Sequence, residues 1–125
     1  MREDLPAGVA QFIAQHIESL SQLEVLLYAR QNADRQLHPN EIANRLALTA
    51  EMSAGILADL VRRGLAVKAE ACFRYHSDGG EVDRTIDLLA ETYRVRRLAV
   101  TNEIYSKPLG KVKSFASAFR LRKEE

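Results

Sequence analysis

At 125 residues, 46% hydrophobic and 28% charged, the chain carries enough apolar material for one core, which excludes a disordered segment and suits a single domain over 1–125. The net charge of +1 conceals an asymmetry: residues 1–93 hold nine Lys/Arg and fourteen Asp/Glu, whereas 94–125 hold nine and three. Any pull on an anionic partner is therefore weighted toward the C-terminal quarter.

Residues 7–18 place Val9, Phe12, Ile13, His16 and Ile17 on one helical face. His16 on that stripe suits a histidine at a core edge better than a ligand. Ser21-Gln-Leu-Glu24 fits a capping box and predicts a helix near 22–33 with Leu23, Leu26 and Leu27 inward. Asn32 to Gln36 stops it. His38-Pro39-Asn40 opens the next helix, with Ile42, Ala43 and Leu46 buried. Thr49 then caps a helix over 50–63 whose inward face is Met52, Ile56, Leu57, Leu60 and Val61, and Gly64 ends it. Leu65–Lys68 and Cys72–Tyr75 read as two strands, with Leu65, Val67, Phe73 and Tyr75 alternating inward and Lys68 and Arg74 outward. Ser77-Asp-Gly-Gly80 is a loop. One long helix follows from Val82 to about Ser106, carrying Val82, Ile86, Leu89, Tyr93, Val100 and Ile104 as a near-heptad seam interrupted at Arg96. A basic amphipathic tail over 107–125 surrounds Val112, Phe115, Ala116 and Phe119 with lysines and arginines.

The order of three helices and a two-strand hairpin over 21–76 resembles the winged helix-turn-helix superfamily. The resemblance rests on Glu41-Ile42-Ala43, Leu46, Leu48-Thr49, Leu57, Leu60 and Arg63-Gly64-Leu65. With the flanking helices, the layout is similar to MarR-like bacterial transcriptional regulators. It implies a mainly α fold with a small β-hairpin, and a homodimer that binds duplex DNA through helix 50–63. By that resemblance, Arg45, Thr49, Ala50, Glu51, Ser53 and Ala54, with Lys68 and Arg74 of the wing, would meet DNA. The seam, through Phe12, Ile13, Ile86, Leu89, Tyr93, Val100 and Ile104, would join the two copies. Two features depart from the pattern. Between Asp34 and His76 the six cations (Arg35, Arg45, Arg62, Arg63, Lys68, Arg74) face five acids (Asp34, Glu41, Glu51, Asp59, Glu70). The turn Lys68-Ala-Glu-Ala-Cys72 is also shorter than a MarR-like wing and lacks its Asp-x-Arg signature.

Other chemistries find little support. Cys72 and His76 on one extended strand would sit about 13 Å apart at ~3.3 Å per residue, too far to share a metal. Cys72 suits a small core residue. No glycine-rich phosphate loop and no nucleophile–base–oxyanion set is present, so no catalysis, cofactor or metal is expected. The acidic run Asp78, Glu81, Asp83, Asp87 and Glu91 is accounted for as a solvated helix start. The alternative to DNA binding is a winged-helix protein-interaction module that docks a partner through the basic, Phe-containing segment 107–123. The single cysteine offers no internal disulfide, and no apolar run nears the roughly 20 residues that span a bilayer. The opening MREDLPAGVA lacks the basic start and apolar stretch of a secretory signal, so the expected compartment is the cytoplasm.

Overall fold

Leu23, Val25, Leu26, Leu27 and Ala29 are all buried, so the helix that carries them meets neighbours around most of its circumference. That helix, α2 (Leu20–Gln31), is the hub of the computed structural model, which describes residues 5–106. Around it stand α1 (Ala7–His16), α3 (Pro39–Leu46), α4 (Ala50–Arg62), the strands β1 (Ala66–Ala69) and β2 (Cys72–Tyr75), α5 (Gly80–Val95) and α6 (Arg97–Tyr105). The fold is mainly α with one small antiparallel hairpin. The tail over 107–125 lies outside the described residues. Among the described residues no helix is long and apolar enough to cross a membrane.

The cap of α2 falls two residues earlier than expected, at Ser19 rather than Ser21. Ser19 Oγ accepts from the Gln22 backbone N–H, and Gln22 Oε1 accepts from the Glu18 N–H. The stretch Ser19-Leu-Ser-Gln-Leu-Glu24 holds two overlapping box patterns, and the first prevails. Glu24 is thereby left to accept from the Tyr93 hydroxyl at 3.0 Å and to pair with Arg97 at 3.6 Å.

The expected single helix over 82–106 is broken at Arg96, whose φ of −132° and ψ of 53° leave the helical region. The break coincides with the one gap in the apolar seam. Arg97, just beyond it, lies over the Tyr93 ring at 4.7 Å, so Glu24 and this stack hold both sides of the bend. α1 packs against both pieces. Ile86, Leu89, Tyr93, Val100 and Ile104 are buried in one cluster with Val9, Phe12 and Ile13. The seam assigned to a dimer interface is thus covered within a single chain.

The hairpin register also differs from the expectation. Ala66 pairs with Tyr75, Val67 with Arg74, Lys68 with Phe73 and Ala69 with Cys72. Directly opposed residues share a face, so Ala66 points inward beside buried Phe73 while Val67 is 45% exposed. A one-residue slip in phase exchanges the two faces of β1. Lys68 and Arg74 consequently stand on opposite faces rather than together. Leu37, fully buried, extends the ladder by exchanging two backbone hydrogen bonds with Phe73, at 2.7 and 2.8 Å.

Candidate nucleic-acid interface

The α3–α4 junction begins with a left-handed residue. Ala47 sits at φ 58°, ψ 47° after the last residue of α3, and the Leu48 N–H donates to the Ala43 carbonyl. Thr49 then turns the chain into α4, its hydroxyl accepting from the Met52 N–H at 2.9 Å. Three groups pin α3 against α2. The Tyr28 hydroxyl donates to Glu41 at 2.6 Å, Arg35 donates to the same carboxylate, and Arg45 lies over the Tyr28 ring at 5.8 Å. The Arg35 hydrogen bond, followed by that of Tyr28, holds the Glu41 carboxyl down to about 2. The hydrogen bond donated to Glu41, and then burial, push the Tyr28 hydroxyl up.

Helix α4 has two different ends. At its C-terminal end Asp59 accepts from Gln22 Nε2 at 2.8 Å, Arg62 at 3.0 Å and Arg63 at 2.7 Å. Arg63 also donates to Glu18 and to the Gln15 carbonyl, so this end is fastened to the corner between α1 and α2. Burial pulls the Arg63 guanidinium toward losing its proton, and Asp59 with Glu18 outweigh that pull. At the N-terminal end, Thr49, Ala50, Glu51, Met52 and Gly55 are exposed and Ala54 is half-buried.

Two of the expected positions on α4 are exchanged. Ser53, assigned to the outer face, is fully buried, and its Oγ has no hydrogen-bond partner among the described residues. Met52, assigned to the core, is 47% exposed. The inward stripe is therefore Ser53, Leu57 and Leu60, with Ile56 and Val61 at its edges. A serine among apolar neighbours reads as surface in any composition-based scheme, which is why the rotation was hidden.

Of the positions expected to meet DNA, the structure leaves Arg45, Thr49, Ala50, Glu51, Lys68 and Arg74 exposed. Arg45 lies in the last turn of α3 with its guanidinium over the Tyr28 ring, and Thr49 and the first turn of α4 follow it across the turn in sequence. Lys68 reaches across its own strand partner, with its ammonium 5.8 Å from the Phe73 ring centre. Arg74 donates to the Ala33 carbonyl at 3.2 Å. The Arg35–Glu41 and Asp59–Arg62/Arg63 pairs withdraw three of the six local cations into internal bonds. The second of these was legible as i,i+3 and i,i+4 spacing, whereas the first joins a loop to a helix and was not.

No known family, curated protein or solved structure gives a significant match to this chain.

The tethered hairpin has its own network. The Tyr75 and Ser77 hydroxyls both donate to Asp83 Oδ1, at 2.6 and 2.7 Å, and Arg30 lies 5.2 Å from the Tyr75 ring while forking onto Asp87. Burial, then the Asp83 hydrogen bond, raises the Tyr75 hydroxyl. Hydrogen bonds from Tyr75 and Ser77 lower Asp83. The acidic start of α5, read as a solvated run, thus fixes the hairpin to α2 through Arg30.

Proposed function

We propose that this chain is a DNA-binding transcriptional regulator of the winged-helix type from a bacterial cytoplasm. The N-terminal turn of α4 enters the major groove, and Arg45 and the hairpin meet the phosphate backbone. The observation that carries this reading is the exposed first turn of α4. It follows a left-handed Ala47, is capped by Thr49, and presents Ala50, Glu51 and Met52 to solvent while its other end is fastened down. Small residues allow close approach to base edges. Ala50 and Ala54 suit a thymine methyl, Thr49 a phosphate or base, and Glu51 the exocyclic amine of cytosine.

Two copies would double the few positive sites and match a two-fold operator, with half-sites about 34 Å apart. Since the α5–α6 seam is occupied internally, the homodimer would use the exposed Leu88, Val95 and Leu98 instead. Selection of genomic fragments by the purified protein at two salt concentrations tests the reading. The expected result is one enriched sequence class with a salt slope of roughly −0.9 for each phosphate contact. Replacing Glu51 with Ala should relax one base position, at a cost of ~1–3 kcal/mol in discrimination. Fragments enriched without sequence preference, and unaltered by Glu51→Ala, would remove base reading by α4.

One observation favours a second reading, a winged-helix module that binds protein. From Thr49 to Val61 the helix carries Glu51 and Asp59 and no cation, and Arg62 and Arg63 are bonded to Asp59. Under this reading the docking element is the basic segment 107–123. Glu51→Ala is then silent, and Phe115→Ser with Phe119→Ser abolishes capture of the partner.

A further inference from the structure

Six large apolar side chains stand exposed among the described residues, and four of them lie on α5 and α6: Leu88 at 45%, Val95 at 57%, Leu98 at 72% and Tyr105 at 55%. Leu88 and Val95, seven apart, share one face of α5, and Leu98 and Tyr105, seven apart, share one face of α6. The buried seam of Ile86, Leu89, Tyr93, Val100 and Ile104 takes the other side of the same two helices, against α1. Beside Val95 runs a groove of about 330 Å³ lined by Leu5, Pro6, Glu91, Thr92, Val95 and Arg96. We infer that this face joins two copies of the chain across a two-fold axis at the α5–α6 bend. Each α5 then runs antiparallel to α6 of the other copy, with Val95 against the partner's Leu98 and Leu88 against the partner's Tyr105.

Spacing, shape, polarity and area select a second copy as the occupant. Val95 and Leu98 stand equally far along the chain from the bend between Arg96 and Arg97, and so do Leu88 and Tyr105. A two-fold axis there sets every apolar residue of the face against another, a match that a second copy provides by symmetry. Leu98, the most exposed of the four, is a knob, and the groove beside Val95 is the hole it meets in that register. Glu91 is bonded to Arg94 of its own copy, so no uncompensated carboxylate enters the face. The same register sets the exposed Asn102 amide beside the partner's Glu91, where it can donate a further hydrogen bond. The four side chains expose the equivalent of more than two complete side chains per copy. At ~150–250 Å² for a large side chain, that is on the order of 400 Å² of apolar surface. With a little over half of an interface apolar, the face comes to roughly 700 Å² per copy, near the ~800 Å² of a standard pair.

The inference gives a register to the homodimer of the DNA reading, but it is measured without DNA, so either can fail alone. Sedimentation equilibrium of the full chain should show monomer and dimer exchanging with concentration. Leu98→Lys should raise the dissociation constant at least roughly tenfold, as expected of a central contact. Leu98 is solvated in the single chain, so its replacement leaves the fold intact. Val67→Lys, the same change of charge on the hairpin, should leave the constant where it was. The register is read by thiol coupling between copies in a Cys72→Ala background. Leu88→Cys mixed with Ser106→Cys, next to Tyr105, should couple through a short bis-maleimide. Leu88→Cys alone should not, since the two copies of position 88 would lie roughly 25 Å apart along the helices. A chain that stays monomeric at every concentration overturns the inference. So does a dimer that Leu98→Lys leaves intact or that couples position 88 to itself. A dimer that Leu98→Lys weakens and that couples 88 to 106 supports it, whatever the fragment selection shows of DNA.

Discussion

The two ends of α4 differ in what they spend their side chains on. The C-terminal end places Asp59 under three donors and Arg63 across α1 and α2, so its charges are consumed in holding the helix. The N-terminal end offers Thr49, Ala50, Glu51, Met52 and Gly55 to solvent. One helix is anchored at one end and presented at the other. A presented surface is positioned only as well as its anchor allows, so Asp59 governs the placement of the first turn of α4 from the far end of the helix.

The largest test removes that anchor. Asp59→Ala leaves the Arg63 guanidinium without its closest carboxylate and the Gln22 amide, 4% exposed, without its acceptor. We expect a loss of about 2–3 kcal/mol in denaturant unfolding, because partly buried polar groups are stranded. A surface ion pair of no consequence would cost under about 1 kcal/mol, and that result would dissolve the contrast between the ends.

A smaller test concerns the inward side of the presented end. Ser53→Ala removes a buried hydroxyl that has no partner among the described residues, at a position already enclosed by apolar groups. It should stabilise the protein by on the order of 1 kcal/mol, seen as a higher thermal midpoint, and should not change any DNA preference. A changed preference would mean that the outward face of α4 is the one its composition suggested.

These residues show what could be read in advance. The existence, order and caps of α3 and α4 were legible, because Pro39, Thr49 and Gly64 each have a local mechanism. So was the hairpin. The rotation of α4 was not, since Met52 and Ser53 are adjacent and only tertiary packing decides which one is enclosed. The seam of Ile86, Leu89, Tyr93, Val100 and Ile104 was correctly recognised as apolar and helical. Its partner was not legible, because spacing shows that a stripe must be covered without saying by what. The chain's own α1 covers it. Leu37 gave no strand signal, being a single residue between a polar turn and a helix. Of the candidate interface, Thr49, Ala50, Glu51 and Arg45 were placed on the surface by sequence, while Ser53 and the shared face of Lys68 and Arg74 were not.

The α2–α3 pin supplies a third test, in acid. Glu41 is held at about 2 by Arg35 and Tyr28, below its ordinary 4.5. A lowered folded-state value stabilises the fold above about pH 4.5, and that contribution is lost as the pH falls toward 2. With Arg35 46% exposed, solvent screening keeps the effect small. Arg35→Met should flatten the acid limb of the unfolding profile over that window and leave the α4 anchor unaffected. An unchanged limb would show that other carboxylates set it.

The smallest effect lies at the turn itself, where presentation begins. Ala47 adopts φ 58°, a conformation in which its Cβ crowds the following carbonyl and which glycine accepts without that strain. Glycine also brings more freedom to the unfolded chain, so the two effects oppose each other. Because the left-handed strain for a non-glycine residue is ~1–2 kcal/mol and the entropic loss under about 1, Ala47→Gly should stabilise the protein by roughly 0.5 kcal/mol. Thermal unfolding reads this directly. If the midpoint falls instead, the unfolded-state term outweighs the strain at Ala47. The first turn of α4 would then owe its position to the Thr49 cap and the Asp59 anchor alone.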